Sequence, residues 1–286
     1  MNGWKRVTCA GGALFATIAL SLAMPSLAVA QSAADTSNDK SDKSGTNPVN
    51  FQRDLRFFNE YSWLNTLGDG TRNVLTTEYR QPLFDGAWQF RTRVPFVTST
   101  KADFNNDGID DLDESGLGDV DFRLLKKPWT KGPHAFAIAL EFFLNTASED
   151  ELGAGTTTLA PQVFYAYFFG KNPIPIPGYR GGGLFAPGLQ YRFSVDEDDG
   201  RSKTDAIAID INYLAMSEDK TRWIFINPQI LSDQENDQDY AFFDIEFGWM
   251  NKKKKGQSWY IRPTFTVGAD RPTDYGLELG YKFIGW

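Results

Sequence analysis

The chain has 286 residues, is acidic and is rich in aromatic side chains. It carries 29 Lys and Arg against 37 Asp and Glu, a net charge of −8, and 15% of its residues are Phe, Trp or Tyr. Nucleic acid is a polyanion that binds basic surfaces, so this balance argues against a nucleic-acid partner. Cys9 is the only cysteine, which excludes a disulfide framework and a cysteine-based zinc site.

Residues 1–30 have the order of a secretory signal peptide. Lys5 and Arg6 give the basic start, an apolar run follows, and Ala28, Val29 and Ala30 form a small-residue cleavage site. The alternative is an uncleaved membrane helix, but a Gly-Gly pair and a proline in this segment disfavour it. Beyond the signal peptide, no segment reaches the roughly 18 apolar residues that a membrane helix needs.

Residues 31–50 contain no large apolar side chain before Val49. Such a segment buries too little surface to offset the entropy lost on ordering. We predict a disordered periplasmic leader over residues 31–50, followed by one barrel domain over residues 51–286.

From Phe51 onward, apolar and polar side chains alternate in about twelve segments of strand length. Successive side chains of a β-strand point to opposite faces, so each segment has one apolar and one charged face. A soluble β-sandwich also alternates, but it rarely sets so many charges opposite so many aromatics. We therefore predict an all-β fold: a transmembrane, antiparallel, up-and-down β-barrel of about 12 strands. Lipid and lipopolysaccharide of the outer membrane would surround it, and the lumen would be polar. The segments are 52–65, 73–84, 87–99, 118–126, 134–146, 158–170, 183–195, 203–215, 221–231, 239–250, 258–269 and 274–286.

The connections between these segments form two alternating sets. The first, third and later odd connections are mostly acidic, and several are long, whereas the even ones are mostly basic or Pro/Gly turns. An even strand number returns both chain ends to the periplasmic side. The acidic set is therefore predicted to face outward.

Charged residues of both signs fall on the predicted lumen face. They either pair into a plug or flank a slim polar path. Several arginines facing several carboxylates would suit an anionic or aromatic polar solute. The candidate solute path consists of Arg80, Arg91, Arg93, Asp119, Asp121, Arg123, Asp210, Asp244, Glu246 and Arg262.

The second outward connection contains a calcium-like pattern, D-x-[DN]-x-[DN]-G-x5-E. A hard cation prefers several oxygen ligands, and the glycine permits the sharp turn around it. The alternative is a flexible acidic loop whose spacing is accidental. We predict a weak calcium site that orders this loop. Its ligands would be Asp103, Asn105, Asp107, the Ile109 carbonyl, Asp111 and Glu114.

The sequence gives little support for an enzyme. His134 is the only histidine, and Ala135 and Phe136 follow it, where the histidine-serine arrangement of an outer-membrane phospholipase would place a serine. We predict a channel or transporter that is not an enzyme. A lipid-modifying enzyme and a closed structural or adhesion barrel are the alternatives.

Two motifs carry a family resemblance. The run Ser115–Val120 contains the sequence Gly-Leu-Gly-Asp at the start of a strand, and the strand 87–99 contains Arg-Thr-Arg-Val-Pro-Phe. From about Phe51 to its end, the chain resembles the family named for the MetA pathway of phenol degradation. This resemblance implies an outer-membrane barrel that transports aromatic or hydrophobic compounds.

The C-terminal segment 274–286 alternates most clearly, with Tyr275, Leu277 and Leu279 on one face and Glu278 and Lys282 on the other. Its late aromatics resemble the C-terminal sorting signature of outer-membrane proteins. That resemblance implies the barrel-assembly machinery as a partner.

Overall fold

The computed structural model describes residues 44–46, 48–65, 70–103, 111–198, 200–201 and 203–285. The predicted signal peptide and most of the predicted leader lie outside the described residues. Within the described ranges, no helix is both long and apolar enough to cross a membrane.

Thirteen strands make up most of the described chain, and the one helical element among these residues is a 3-10 turn at Asp150–Leu152. The strands are β1 (Asp54–Leu64), β2 (Thr71–Leu83), β3 (Trp88–Ala102), β4 (Leu112–Leu117), β5 (Asp121–Lys131), β6 (His134–Phe143), β7 (Thr156–Phe169), β8 (Gly183–Glu197), β9 (Asp205–Met216), β10 (Arg222–Asp233), β11 (Gln238–Met250), β12 (Gln257–Val267) and β13 (Thr273–Ile284).

Twelve of these strands close an antiparallel barrel, which confirms the predicted fold class. Sequence neighbours pair around the sheet, and β1 closes it by pairing with both β2 and β13. Arg56, for example, lies opposite Glu78 on one side and Lys282 on the other. The thirteenth strand, β4, pairs with β3 between Phe96 and Ala102, and β5 pairs with β3 between Trp88 and Arg93.

The region of β3 to β5 differs in detail from the prediction. Residues 100–116 were predicted as a connection, but β3 continues to Ala102 and pairs with β4, with Lys101 opposite Asp113. Residues 127–133 were also predicted as a connection, but β5 continues until Lys131 lies opposite His134. In both hairpins, backbone pairing continues beyond the segments in which apolar and polar side chains alternate.

The two faces of the barrel have opposite chemistry. Large apolar side chains point outward and are exposed, such as Phe96 at 49% and Leu279 at 53%. Charged side chains point inward, and Glu246 and Lys282 are both fully buried. This arrangement inverts that of a soluble protein and is typical of a barrel whose outer solvent is lipid.

The barrel has two distinct ends. At the terminal end, β1 begins, β13 finishes and the short turn 84–87 lies. At the loop end, β1 finishes, β2 begins and the connection 144–155 lies. Short turns and both chain ends are typical of the periplasmic side of such barrels.

Candidate functional site

The barrel encloses a central cavity of about 390 Å³, here called the chamber. Its walls are built from the inward-facing residues of the alternating strands. Seven of the predicted path residues line it directly: Arg80, Arg91, Arg93, Arg123, Asp210, Asp244 and Arg262. Asp121 and Glu246 are buried in ion pairs with these arginines.

Most lumen charges belong to three ion-pair clusters. The first joins β1 and β2, where Arg56 Nη2 lies 2.6 Å from Asp54 Oδ2 and Arg80 Nε lies 2.7 Å from Glu78 Oε1. Register places these side chains opposite each other, with Arg56 facing Glu78 and Asp54 facing Arg80.

The second cluster joins β3, β5 and β6. Arg91 Nη2 and Arg93 Nε each lie 2.8 Å from one oxygen of Asp121. Arg91 also contacts Glu141, which β6 places opposite Arg123. Two arginines therefore share two carboxylates, and little net charge remains there.

The third cluster joins β10 to β13. Glu246 accepts from Lys282 Nζ at 2.8 Å, from Arg262 Nη2 at 2.5 Å and from the Trp223 indole N–H at 2.6 Å. Glu278 lies beside Arg262 at 3.2 Å. A buried carboxylate needs such partners to remain charged at tolerable cost.

Arg123 and Arg192 differ from the arginines of the clusters. Within the described part of the chain, neither forms an ion pair within 4.0 Å. Arg123 Nη1 donates to the amide oxygen of Gln162 at 3.3 Å, and Arg192 Nη2 donates to that of Gln229 at 3.4 Å. The Arg192 guanidinium also lies 5.8 Å from the centre of the Phe143 ring. A neutral amide satisfies an N–H without cancelling the positive charge.

Glutamines also separate these arginines from nearby acids. Gln162 and Gln190 both donate to Glu141, and Gln229 donates to Asp210 at 2.6 Å. The predicted path residues include none of these three glutamines, although their inward position follows from the same alternation that identified the charges.

The floor of the chamber is formed by residues 44–46 and 48–50, which precede β1. Thr46 and Pro48 line the chamber, and Val49 is completely buried in an apolar cluster of the lumen. The predicted leader 31–50 thus differs from the structure at its end, because residues 44–46 and 48–50 lie inside the barrel. This segment has few apolar side chains of its own, so the contacts that order it come from cations and apolar side chains of the lumen.

Asp119 lies apart from the chamber, in the break between β4 and β5. Its Oδ1 accepts the backbone N–H groups of Thr146 and Ala147 at 3.0 and 3.1 Å, and its Oδ2 accepts that of Ala154 at 2.6 Å. Its placement among the path residues is therefore corrected: Asp119 holds the connection 144–155.

The Gly-Leu-Gly-Asp motif holds this connection against the loop end. A Cβ on Gly116 would lie 2.2 Å from Ser148 Oγ, so only glycine permits the contact. Further along, the Leu152 carbonyl accepts from Arg72 Nη2 on β2 at 2.6 Å. The connection therefore crosses from β6 towards β2 and narrows the outer mouth.

The calcium-like loop is described only in part. Asp103, Asp111 and Glu114 lie within the described ranges, whereas Asn105, Asp107 and Ile109 lie outside them. Among the described residues, no group of three or more His, Cys, Asp and Glu could hold a metal ion. Calcium binding by this loop stays a prediction.

His134 lies at the terminal end, where its Nδ1 is 2.5 Å from the Tyr165 hydroxyl and its ring packs near Tyr167. His134 therefore packs against two tyrosines of β7.

Comparison with known proteins agrees with this architecture. Residues 64–173 match the family model described as "Putative MetA-pathway of phenol degradation". The chain is similar to the COG4313 outer membrane channel from Pseudomonas putida F1, with 10% identity, 82% of this chain and 95% of that chain covered, and a TM-score of 0.60. It is also similar to the NanC porin, with 10% identity, 81% and 98% coverage and a TM-score of 0.50.

At such low identity these structures show a shared fold alone. No curated protein matches the sequence. The predicted resemblance is confirmed over residues 64–173, which match the model of the family named for the MetA pathway of phenol degradation.

Proposed function

We propose that this protein is a passive outer-membrane channel for small solutes that carry a carboxylate, with a preference for those that also carry an aromatic ring. The observation that carries the proposal is the pair Arg123 and Arg192, two chamber arginines held by amide oxygens instead of carboxylates. The three clusters fix the other arginines in ion pairs.

The charge of these arginines is available to a solute. A guanidinium remains protonated at every physiological pH and presents a planar fork of donors that matches a carboxylate. Both side chains are half-buried, so water and small solutes can reach them. The Nε of Arg123 makes no hydrogen bond with any described residue.

Aromatic side chains of the same chamber supply the second half of the preference. Phe143, Phe164, Phe225 and Phe242 line it together with the arginines. A ring on the solute could stack on these faces while its carboxylate meets a guanidinium. At about 390 Å³, the chamber has the volume of a small-molecule site and is too small for an oligomer.

Three features support an outer-membrane channel in particular. The outward apolar belt requires lipid, residues 1–30 have the order of a signal peptide, and the similar structure from Pseudomonas putida is named as an outer membrane channel. The amide-bound arginines distinguish the proposal from the closed structural or adhesion barrel, in which every lumen charge would be paired.

Uptake of radiolabelled benzoate into proteoliposomes tests the proposal. Benzoate should enter faster than acetate. Neutral benzyl alcohol should enter at the same rate with and without the protein, because it crosses the lipid by itself. The double variant Arg123→Gln and Arg192→Gln should lower benzoate uptake several-fold. Lys253→Gln, which removes one charge from an exposed turn, is the matched control. If every solute enters proteoliposomes no faster than it enters liposomes without the protein, the proposal is contradicted.

The remaining enzyme alternative has its own test. A lipid-modifying serine hydrolase should react with a fluorophosphonate probe in detergent micelles. We expect no labelling, and specific labelling that competes with lipid substrate would favour the enzyme.

A further inference from the structure

We propose that residues 44–46 and 48–50 form a removable plug, here called the plug segment. The lumen at the terminal end is a binding site for this stretch of extended chain. Its withdrawal would open the chamber towards the terminal end and expose the cations that now hold it.

Backbone carbonyl oxygens of the plug segment meet cations of the barrel wall. Lys282 Nζ donates to the Ser44 carbonyl at 3.2 Å, and Arg80 Nη1 donates to the Gly45 carbonyl at 3.0 Å. Arg56 also donates to the Gly45 carbonyl. Gly45 has a φ of +70°, a conformation that glycine adopts readily and that lets its carbonyl approach both guanidinium groups.

The opposite wall holds the plug segment through apolar contact. Val49 is completely buried in a cluster that includes Phe164 of β7, Leu184 of β8 and Trp223 of β10. Its carbonyl accepts from Lys127 Nζ of β5 at 3.2 Å. Polar contacts come from β1, β2, β5 and β13, and apolar contacts come mainly from β6 to β10, so the segment spans the bore.

The plug segment is attached differently from the barrel wall. Its described residues belong to no strand, and its contacts with the wall include side-chain hydrogen bonds and the packing of Val49. Segments outside the ladder of backbone pairs open locally at lower cost than the strands around them. The plug segment can therefore leave while the barrel stays closed.

Withdrawal would widen the path. Thr46 and Pro48 are part of the chamber lining, so their departure joins the chamber to the terminal end. Arg56, Arg80 and Lys282 would keep their carboxylate partners. The open path is thus expected to conduct more than the plugged one, with little change in net charge.

Planar-bilayer recording of Val49→Asp tests the proposal. A charge in the apolar socket should expel the segment, so single-channel conductance should rise several-fold. Val49→Ile keeps an apolar side chain there and is the matched control, with conductance like that of the unsubstituted protein. The heat-dependent gel shift shows whether the Val49→Asp barrel has folded. Unchanged conductance of a folded Val49→Asp barrel would overturn the proposal.

Thiol labelling provides a second readout that does not depend on conduction or on the folding of Val49→Asp. In a protein whose Cys9 has been replaced, Val49→Cys should react with a hydrophilic maleimide at least ten-fold more slowly than Lys253→Cys on an exposed turn. Equal rates would overturn the plug even if the barrel conducts. Slow labelling in a barrel that never conducts would keep the plug and refute the proposed channel.

Discussion

Lys282 Nζ lies 2.8 Å from Glu246 Oε1, and neither side chain is exposed at all. The lysine also lies over the ring of Tyr260 at 4.4 Å. Removing one member of a buried pair leaves the other charge uncompensated, which typically costs about 3–5 kcal/mol. We expect Lys282→Met to lower the free energy of unfolding by a few kcal/mol, measured by denaturant titration in detergent micelles.

The double variant Lys282→Met and Glu246→Gln is the control for this pair. It removes both charges, so part of the lost stability should return. If the single and double variants unfold at the same denaturant concentration as the unsubstituted protein, the pair has no structural role.

Asp119 is predicted to hold the connection 144–155 over the loop end. Asp119→Asn keeps the size of the side chain but replaces one of the two accepting oxygens with a donor. We expect faster protease cleavage within 148–154 and noisier channel currents, with the barrel still folded. Asp113→Asn removes an exposed carboxylate from β4 and is the control. Equal cleavage of both variants would contradict this role.

Lumen glycines lie opposite lumen aromatics on the neighbouring strand. Gly248 pairs with Trp223 and Gly280 with Tyr260. A Cβ on Gly248 would lie 2.0 Å from the indole ring. Gly248→Ala should therefore displace Trp223 and destabilise the barrel by about 1–3 kcal/mol, with a shift in tryptophan fluorescence. Ala208→Gly, elsewhere in the lumen, is the control. Gly132→Ala cannot serve, because Gly132 has a φ of +56°. Unchanged fluorescence and stability in Gly248→Ala would contradict the packing argument.

Calcium binding by the loop 103–114 is testable by isothermal titration. We expect dissociation constants on the order of 10⁻⁴ to 10⁻³ M, as in extracellular modules. Glu114→Gln, which removes the final carboxylate, should abolish the heat, whereas Glu235→Gln on another connection should not. The absence of heat in the unsubstituted protein would refute the site.

Local alternation made the barrel predictable. Each strand of a membrane barrel faces lipid on one side, so the parity of Leu277 and Leu279 against Glu278 indicates both faces within a few residues. The same parity indicated inward positions for Arg91, Arg123 and Asp210.

The remaining features depend on contacts between distant residues. Lys282 and Ser44 are 238 positions apart and meet only because β13 closes the barrel against β1. Composition alone indicated disorder for residues 31–50, because it does not show that the lumen would supply cations and an apolar socket. Asp119 has the parity of a lumen residue, yet the strand breaks at that point and its carboxylate binds a connection.

The reversal potential under a salt gradient tests the central claim most directly, that Arg123 and Arg192 offer permeating anions guanidinium groups that no carboxylate pairs. Chloride should permeate more readily than potassium through the unsubstituted protein, and the double variant Arg123→Gln and Arg192→Gln should move the reversal potential towards zero or beyond it. Conducting channels with a preference for cations, or a reversal potential that the double substitution leaves unchanged, would contradict the account.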